Sequence, residues 1–243
     1  MRNGRAGGVI GNARMIQKPH QVGMPARSKA YISWSTGKDS AYALHEARRQ
    51  GIDVVGMLTT VTSAFGRVSM HGVRETLLDR QVEAVGLPCL KIAIPTPCST
   101  EIYEQEMGLA MAQLRADGVT AVVFGDLFLA DLRADREAKL AAIGMTGIFP
   151  LWLRDTSQLA HEMIASGVRA TLTCIDPRVV PRSLAGRAFD ETLLADLPAS
   201  VDRCGENGEF HTFVSAGPML RYPLDVRGGE VVEREGFVFA DLL

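Results

Sequence analysis

Three groups of residues in this 243-residue chain have the types and spacing for chemistry. The first is Ser-Thr-Gly-Lys-Asp-Ser at 35–40, between the β-prone run KAYISW and the helical pattern AYALHEARRQ. Such a strand–turn–helix makes an anion site, because the first N–H groups of a helix lack helical partners and carry its positive dipole end. Ser35, Thr36 and Ser40 supply hydroxyls, Gly37 a small turn residue and Lys38 a charge that can balance a phosphate leaving group. Asp39 would repel phosphate unless Mg²⁺ stood between them, and it could instead cap the helix.

The second group lies where further apolar runs end. His71, in SMHG, could contact adenine or phosphate, carry a proton, or simply pack against the next helix. Gly125 permits close ligand approach, and Asp126 could bind Mg²⁺, contact adenosine or cap the following segment. Arg133 and Glu137 stand four apart on a helical stretch and can form a surface ion pair, while Arg133 or Arg136 could clamp an anionic acceptor. Trp152 belongs to the core or lines the acceptor pocket.

The third group is CGENGEFHTFV, residues 204–214. Asn207-Gly208 reads as a turn and the rest as a strand, with Glu209, His211 and Phe213 on one face and Phe210, Thr212 and Val214 on the other. Glu206, Glu209 and His211 could then gather at a cleft and exchange a proton with a substrate; Asn207 falls on the same substrate side. The alternative is a hydrogen-bonded turn that anchors a domain. Cys204, Glu206 and His211 lack diagnostic metal spacing, and Cys204 has no base close in sequence to activate it.

The elements that must position these groups alternate. Strand-like runs KAYISWS, IDVVGMLTT, LKIAI and TAVVFGD are separated by helical stretches at 39–50, 73–85, 100–117 (Ser99 as cap) and 132–143. This predicts an α/β fold, a parallel sheet with helices on both faces, whose ligand edge is the C-terminal end of the strands. SWSTGKDS, SMHG and Gly125-Asp126 all fall there. FPLWL, a helix near 157–165 capped by Asp155, and RATLTCI continue the pattern. After Pro177 the texture turns to Pro, Gly and short strands: GEFHTFV, LRYPLDV, VVERE and FVFADL, with an Arg227-Gly228-Gly229-Glu230 turn joining the last pieces as a hairpin. The division is therefore 29–145 for a nucleotide-binding domain and 146–243 for a smaller α+β acceptor domain, the boundary falling within 145–178. Residues 1–28, glycine-rich and without Asp or Glu, read as a loose tail or a misplaced start before Met24.

A formal net charge of -2 gives no general nucleic-acid-binding surface, and no apolar run approaches the ~20 residues of a membrane span. Four scattered cysteines without a CxxC pair fit a reduced, cytoplasmic protein. A homodimer is compatible with this reading.

The opening loop is not a Walker A motif: Asp39 follows Lys38 where Ser or Thr is required, and Ile32 stands at the first glycine position. It resembles the SGGxDS pyrophosphate loop of the ATP pyrophosphatases, with Thr36 at the middle glycine. MHG at 70–72, GDLFLADLRADRE at 125–137, FPLW at 149–152 and DRCGENGEFHTFV at 202–214, in that order, are similar to the diphthine–ammonia ligase family over roughly Ala30 to Tyr222. The resemblance implies a PP-loop, Rossmann-like ATP-binding domain, ATP and Mg²⁺, and amide synthesis: a carboxylate attacks the α phosphate, and ammonia displaces AMP from the acyl-adenylate. The acceptor's identity does not follow from it. The alternatives are adenylation of a tRNA base and a non-catalytic ATP sensor. Thr36 departs from the family pattern, since a β-branched side chain restricts the turn's φ.

Overall fold

A computed structural model describes residues 28–243; the reading of the N-terminal residues before these lies outside the described part. The chain starts with β1 (Lys29–Ser33), α1 (Lys38–Arg49), β2 (Asp53–Thr62), β3 (Arg67–Val68), α2 (Glu75–Val85) and β4 (Cys89–Ile94). It continues through α3 (Thr100–Ala116), β5 (Val119–Val123), α4 (Ala130–Ala142), β6 (Thr146–Ile148) and α5 (Thr156–Ala165). The second part holds β7 (Arg169–Ile175), a 3₁₀ turn at Arg182–Leu184, α6 (Glu191–Asp196), β8 (Phe210–Ala216), β9 (Gly228–Arg234) and β10 (Phe237–Leu242).

The first sheet runs β4-β2-β1-β5-β6 with all pairings parallel, and β3 adds a short antiparallel segment to the end of β2. Side chains of α1 and α2 bury Leu44, Leu77 and Leu78 on one face; those of α3 and α4 bury Ala110, Leu114 and Leu140 on the other. The order reverses between β1, which leads outward to β2, and β5, which continues the other way. Such a reversal opens a crevice beyond the carboxyl ends of the two strands. The second sheet is antiparallel, β8-β7-β10-β9. One apolar cluster joins the two parts, running from Trp34 and Leu44 to Phe210, Phe213 and Val238.

Local chemistry explains the helix starts. The Ser99 hydroxyl accepts from Ile102 N at 3.3 Å and the Asp155 carboxylate from Gln158 N at 2.8 Å, each satisfying a donor the helix leaves free. Asp190 does the same for α6, an element that the sequence pattern did not anticipate.

Three expectations are corrected. FPLWL is not a strand: β6 is Thr146–Ile148, and Pro150 is followed by turns in which Trp152 N donates to Phe149 O and Arg154 N to Leu151 O. LRYPLDV forms no ladder, and Pro223 has no N–H to contribute to one; isolated bonds hold the segment to α2, from Arg221 N to Ala84 O, and to β8, from Leu224 N to Ser215 O. The final hairpin exists, but it turns at Glu235-Gly236, with φ of 51° and 80°, as a two-residue turn of this hand requires. Gly228 and Gly229 lie inside β9.

Candidate active site

The carboxyl ends of β1 and β5 and the loop before β8 enclose a cavity of ≈ 230 Å³. Ser33 at the end of β1, Ser35 in the following loop and Asp39 and Ser40 in the first turn of α1 line it, with Gly125, Asp126 and Arg136 from beyond β5. His71 enters from the loop after β3, and Glu206, Phe210, His211 and Thr212 from the second part. Gly125 is obligatory here: a Cβ on it would stand 2.7–2.9 Å from backbone atoms of Asp39 and Ser40. Its absence lets the end of β5 press against the first turn of α1.

The loop is organised by hydroxyls. Ser40 Oγ donates to Gly37 O at 3.1 Å, accepts from Ser35 N at 3.3 Å and lies 3.1 Å from Ser35 Oγ. No side chain caps α1, whose N-cap is Gly37, so first-turn N–H groups remain for a ligand. One is already taken, since Lys38 N donates to Thr212 Oγ1 at 3.0 Å. Thr36 adopts φ 72°, the left-handed region that costs a β-branched residue about 1–2 kcal/mol. Its carbonyl accepts from Val214 N at 3.0 Å and Gln81 Nε2 at 3.1 Å, while its buried hydroxyl has no partner.

Lys38 does not line the cavity, so its expected role against phosphate is corrected. Its side chain is 1% exposed and runs into the second part, where Nζ donates to the Cys204 carbonyl and to Asp39 Oδ2 at 2.8 Å. The rings of Phe210 and Phe189 lie 5.0 and 5.4 Å from the ammonium. Burial alone would lower the Lys38 pKa, but Asp39, Cys204 and Asp202 together outweigh it and the lysine is held charged. Lys38 thus orients Asp39 from behind.

Glu206 and His211 meet at the cavity as the sequence reading required, but Glu209 does not. Its carboxylate accepts from Asp202 N, Asn207 N and Asn207 Nδ2 at 2.9–3.0 Å and fastens the 202–209 turn. Asn207 therefore also serves this turn and is not among the cavity residues. Strict alternation along β8 fails too: Phe210, His211 and Thr212 all face the site, opposite a register shift between Leu172 and Cys174 of β7. Burial, supplemented by Asp39 and Asp126, pushes Glu206 up to about 7 although its Oε1 accepts from Leu127 N and Phe128 N. Burial lowers His211 to about 4 and His71 to about 3, and the two rings sit 4.7 Å apart. His71 Nδ1 lies 3.1 Å from the Thr212 carbonyl, which can only accept, so Nδ1 carries the proton and Nε2 is left as an acceptor.

Of the two arginines, Arg136 reaches the cavity, with Nε 3.2 Å from Asp126 Oδ2. Arg133 pairs with Glu137 at 2.8 Å and lies over the rings of Phe149 and Trp152. Trp152 is half-buried in that stack and is not a lining residue. Burial raises the Cys204 thiol far from thiolate character, which removes it as a nucleophile.

The donor set fits Mg²⁺. Among the described residues Asp39 Oδ1 is buried without a hydrogen-bond partner and Asp126 Oδ2 has only its ion pair with Arg136, and burial raises both carboxyls. Carboxylate oxygens suit a hard cation, which commonly takes one or two from the protein and the rest from phosphate and water. No cluster of three metal-ligating side chains occurs among the described residues.

A parallel sheet with a Ser-rich loop at its switch point places the first part in the PP-loop class of α/β folds. Residues 28–145 match the diphthamide synthase N-terminal domain and residues 155–240 the diphthamide synthase C-terminal domain; the chain belongs to this family. It is similar to proteins named diphthine–ammonia ligase. Those of Bos taurus and Homo sapiens are each 24% identical over 228 residues, 85% of this chain and 85% of theirs. That of Danio rerio is 24% identical over 231 residues, 85% of this chain and 89% of its own.

Two residues that sequence reasoning missed matter to the site. Gln81, fully buried in α2, gave no signal beyond a polar residue on the apolar face of an amphipathic helix. Asp241 near the C-terminus binds Arg67 at 2.8 Å and Arg74, the two arginines that flank the His71 loop.

Proposed function

We propose that this protein is an ATP-dependent, AMP-forming ligase that joins ammonia to a carboxylate. The observation that carries the reading is the convergence of an uncapped helix start, the carboxylates of Asp39 and Asp126 and a glutamate raised to about 7 on one cavity. Residues 29–145 would bind the nucleotide and 146–243 would complete the acceptor side.

In this reading Ser35, Ser40 and the first-turn N–H groups of α1 hold the phosphates. Asp39 and Asp126 would hold Mg²⁺, which would neutralise charge as pyrophosphate leaves. The acceptor carboxylate attacks the α phosphorus, and Arg136 steadies its charge. Glu206, ionised for about half the molecules near pH 7, takes a proton from ammonium. The resulting ammonia attacks the acyl carbon, the bond from that carbon to the AMP oxygen breaks, and the nitrogen releases its extra proton to solvent to leave the amide. His71 and His211 stay neutral and offer hydrogen bonds. The four cysteines are all free thiols, which suits a reducing compartment such as the cytoplasm.

The test uses purified protein, Mg²⁺ and α-labelled ATP, with ammonium and fractions of cellular carboxylates supplied in turn. Labelled AMP that depends on ammonium and on one fraction supports the reading. Labelled ADP overturns it, and ATP that binds but stays intact with every fraction replaces it with the sensor.

A further inference from the structure

The strained conformation of Thr36 has to be held by something other than Thr36 itself. The geometry points to Gln81 as a positioning residue that locks the phosphate loop from behind. The inference rests on the reading that this loop binds ATP.

Gln81 is 0% exposed, and each polar atom of its amide is satisfied. Oε1 accepts from Trp34 Nε1 at 2.9 Å; Nε2 donates to Thr36 O at 3.1 Å and to Val214 O at 2.6 Å. One side chain on α2 therefore ties the residue before the loop, the strained residue within it and the free edge of β8. Val214 N completes the clamp on the Thr36 carbonyl, and Thr59 Oγ1 fixes the Trp34 carbonyl at 2.9 Å. Both lone pairs of the Thr36 oxygen are thus occupied, which fixes the orientation of its peptide plane and of the Gly37 N–H that follows. Leucine at position 81 would match the volume while removing one donor from Thr36, one from Val214 and the acceptor of Trp34. Thr36 would then relax out of the left-handed region, and the first N–H groups would no longer converge.

A second substitution separates positioning from general stability. Glycine occupies φ 72° without strain and needs no clamp. Thr36→Gly should therefore rescue nucleotide binding in the Gln81→Leu background even though it adds no contact.

MgATP binding would be measured by titration calorimetry, and by Trp34 fluorescence in a Trp152→Phe background, for wild type, Gln81→Leu, Gln81→Leu/Thr36→Gly and a core control, Leu159→Ala. We expect Gln81→Leu to weaken MgATP about tenfold or more. The double variant should recover most of that loss, and Leu159→Ala should lower the melting temperature without changing affinity. Equal affinity in wild type and Gln81→Leu overturns the inference, as does a loss that Thr36→Gly fails to repair. Failure of the wild type to bind MgATP would instead remove the functional reading beneath it.

Discussion

Glu206 Oε1 accepts a hydrogen bond from Leu127 N at 2.7 Å, so a carboxylate of the second part is anchored on the loop after β5 of the first. One oxygen is fixed, and the carboxyl faces Asp39 and Asp126. Ionising it in that company is unfavourable, which is why burial and neighbouring charge raise it to about 7.

The raised pKa makes a stability prediction with a definite sign. The folded protein holds this proton to about pH 7, whereas an unfolded glutamate releases it near pH 4.5. The stability linked to Glu206 is therefore full below about pH 4.5 and is lost as pH rises through about 7. Glu206→Gln should be more stable than wild type at pH 8, by on the order of 2 kcal/mol, with the difference fading towards pH 5. Urea unfolding at several pH values measures it. The same variant should lose ammonium-dependent turnover by about 10²–10⁴-fold.

Asp241 has the opposite sign. Burial would raise it, but hydrogen bonds from Arg74 and Arg67 win and hold it at about 2, below its ordinary 3.8. Its contribution is present above pH 4 and disappears as pH falls towards 2. Asp241→Asn should cost about 2 kcal/mol at pH 7 and almost nothing near pH 2. Hydrogen exchange should quicken around His71, since Phe239 of the same strand also packs beneath Gly72.

Much of this was legible in the sequence. Periodicity and punctuation mark β1, β7, and α3 and α5 with their Ser99 and Asp155 caps, because those signals are local. The loop 35–40, His71 and Asp126 could be aligned on one rim because strand ends in a parallel sheet share an edge, while Glu206 and His211 were expected to face that rim from the second domain. What stayed hidden depends on partners far along the chain. Nothing near Lys38 announces that Phe189, Cys204 and Phe210 will enclose it, and nothing near Gln81 announces Trp34, Thr36 and Val214. Glu209 looks as free as Glu206 until the backbone N–H groups it caps are known.

Lys38→Ala is expected to act first on folding. It would leave the Asp39 carboxylate without its cation and a cavity against Phe189 and Phe210. A loss of about 3 kcal/mol or more is expected in urea unfolding. If Lys38→Ala were as stable as wild type and lost only MgATP affinity, the buried placement of the ammonium would be wrong.

Gly125→Ala should damage both stability and binding. The added methyl meets backbone of Asp39 and Ser40, which no side-chain rotation can relieve. We expect about 1–3 kcal/mol of destabilisation and a clear drop in MgATP affinity by calorimetry. Gly37→Ala should be milder towards His71, whose ring can turn, although the Thr212 carbonyl stands at 3.1 Å.

The bracing of the loop by β8 also sets a timetable. Lys38 N and its acceptor, Thr212 Oγ1, are separated by 174 residues. At ordinary rates of synthesis the strand leaves the ribosome roughly 10–35 s after the loop it must hold. Throughout that interval the nascent chain carries a 35–40 loop whose clamp has not yet been made. On the proposed reading, competence to bind nucleotide is therefore acquired late in synthesis, once β8 has emerged.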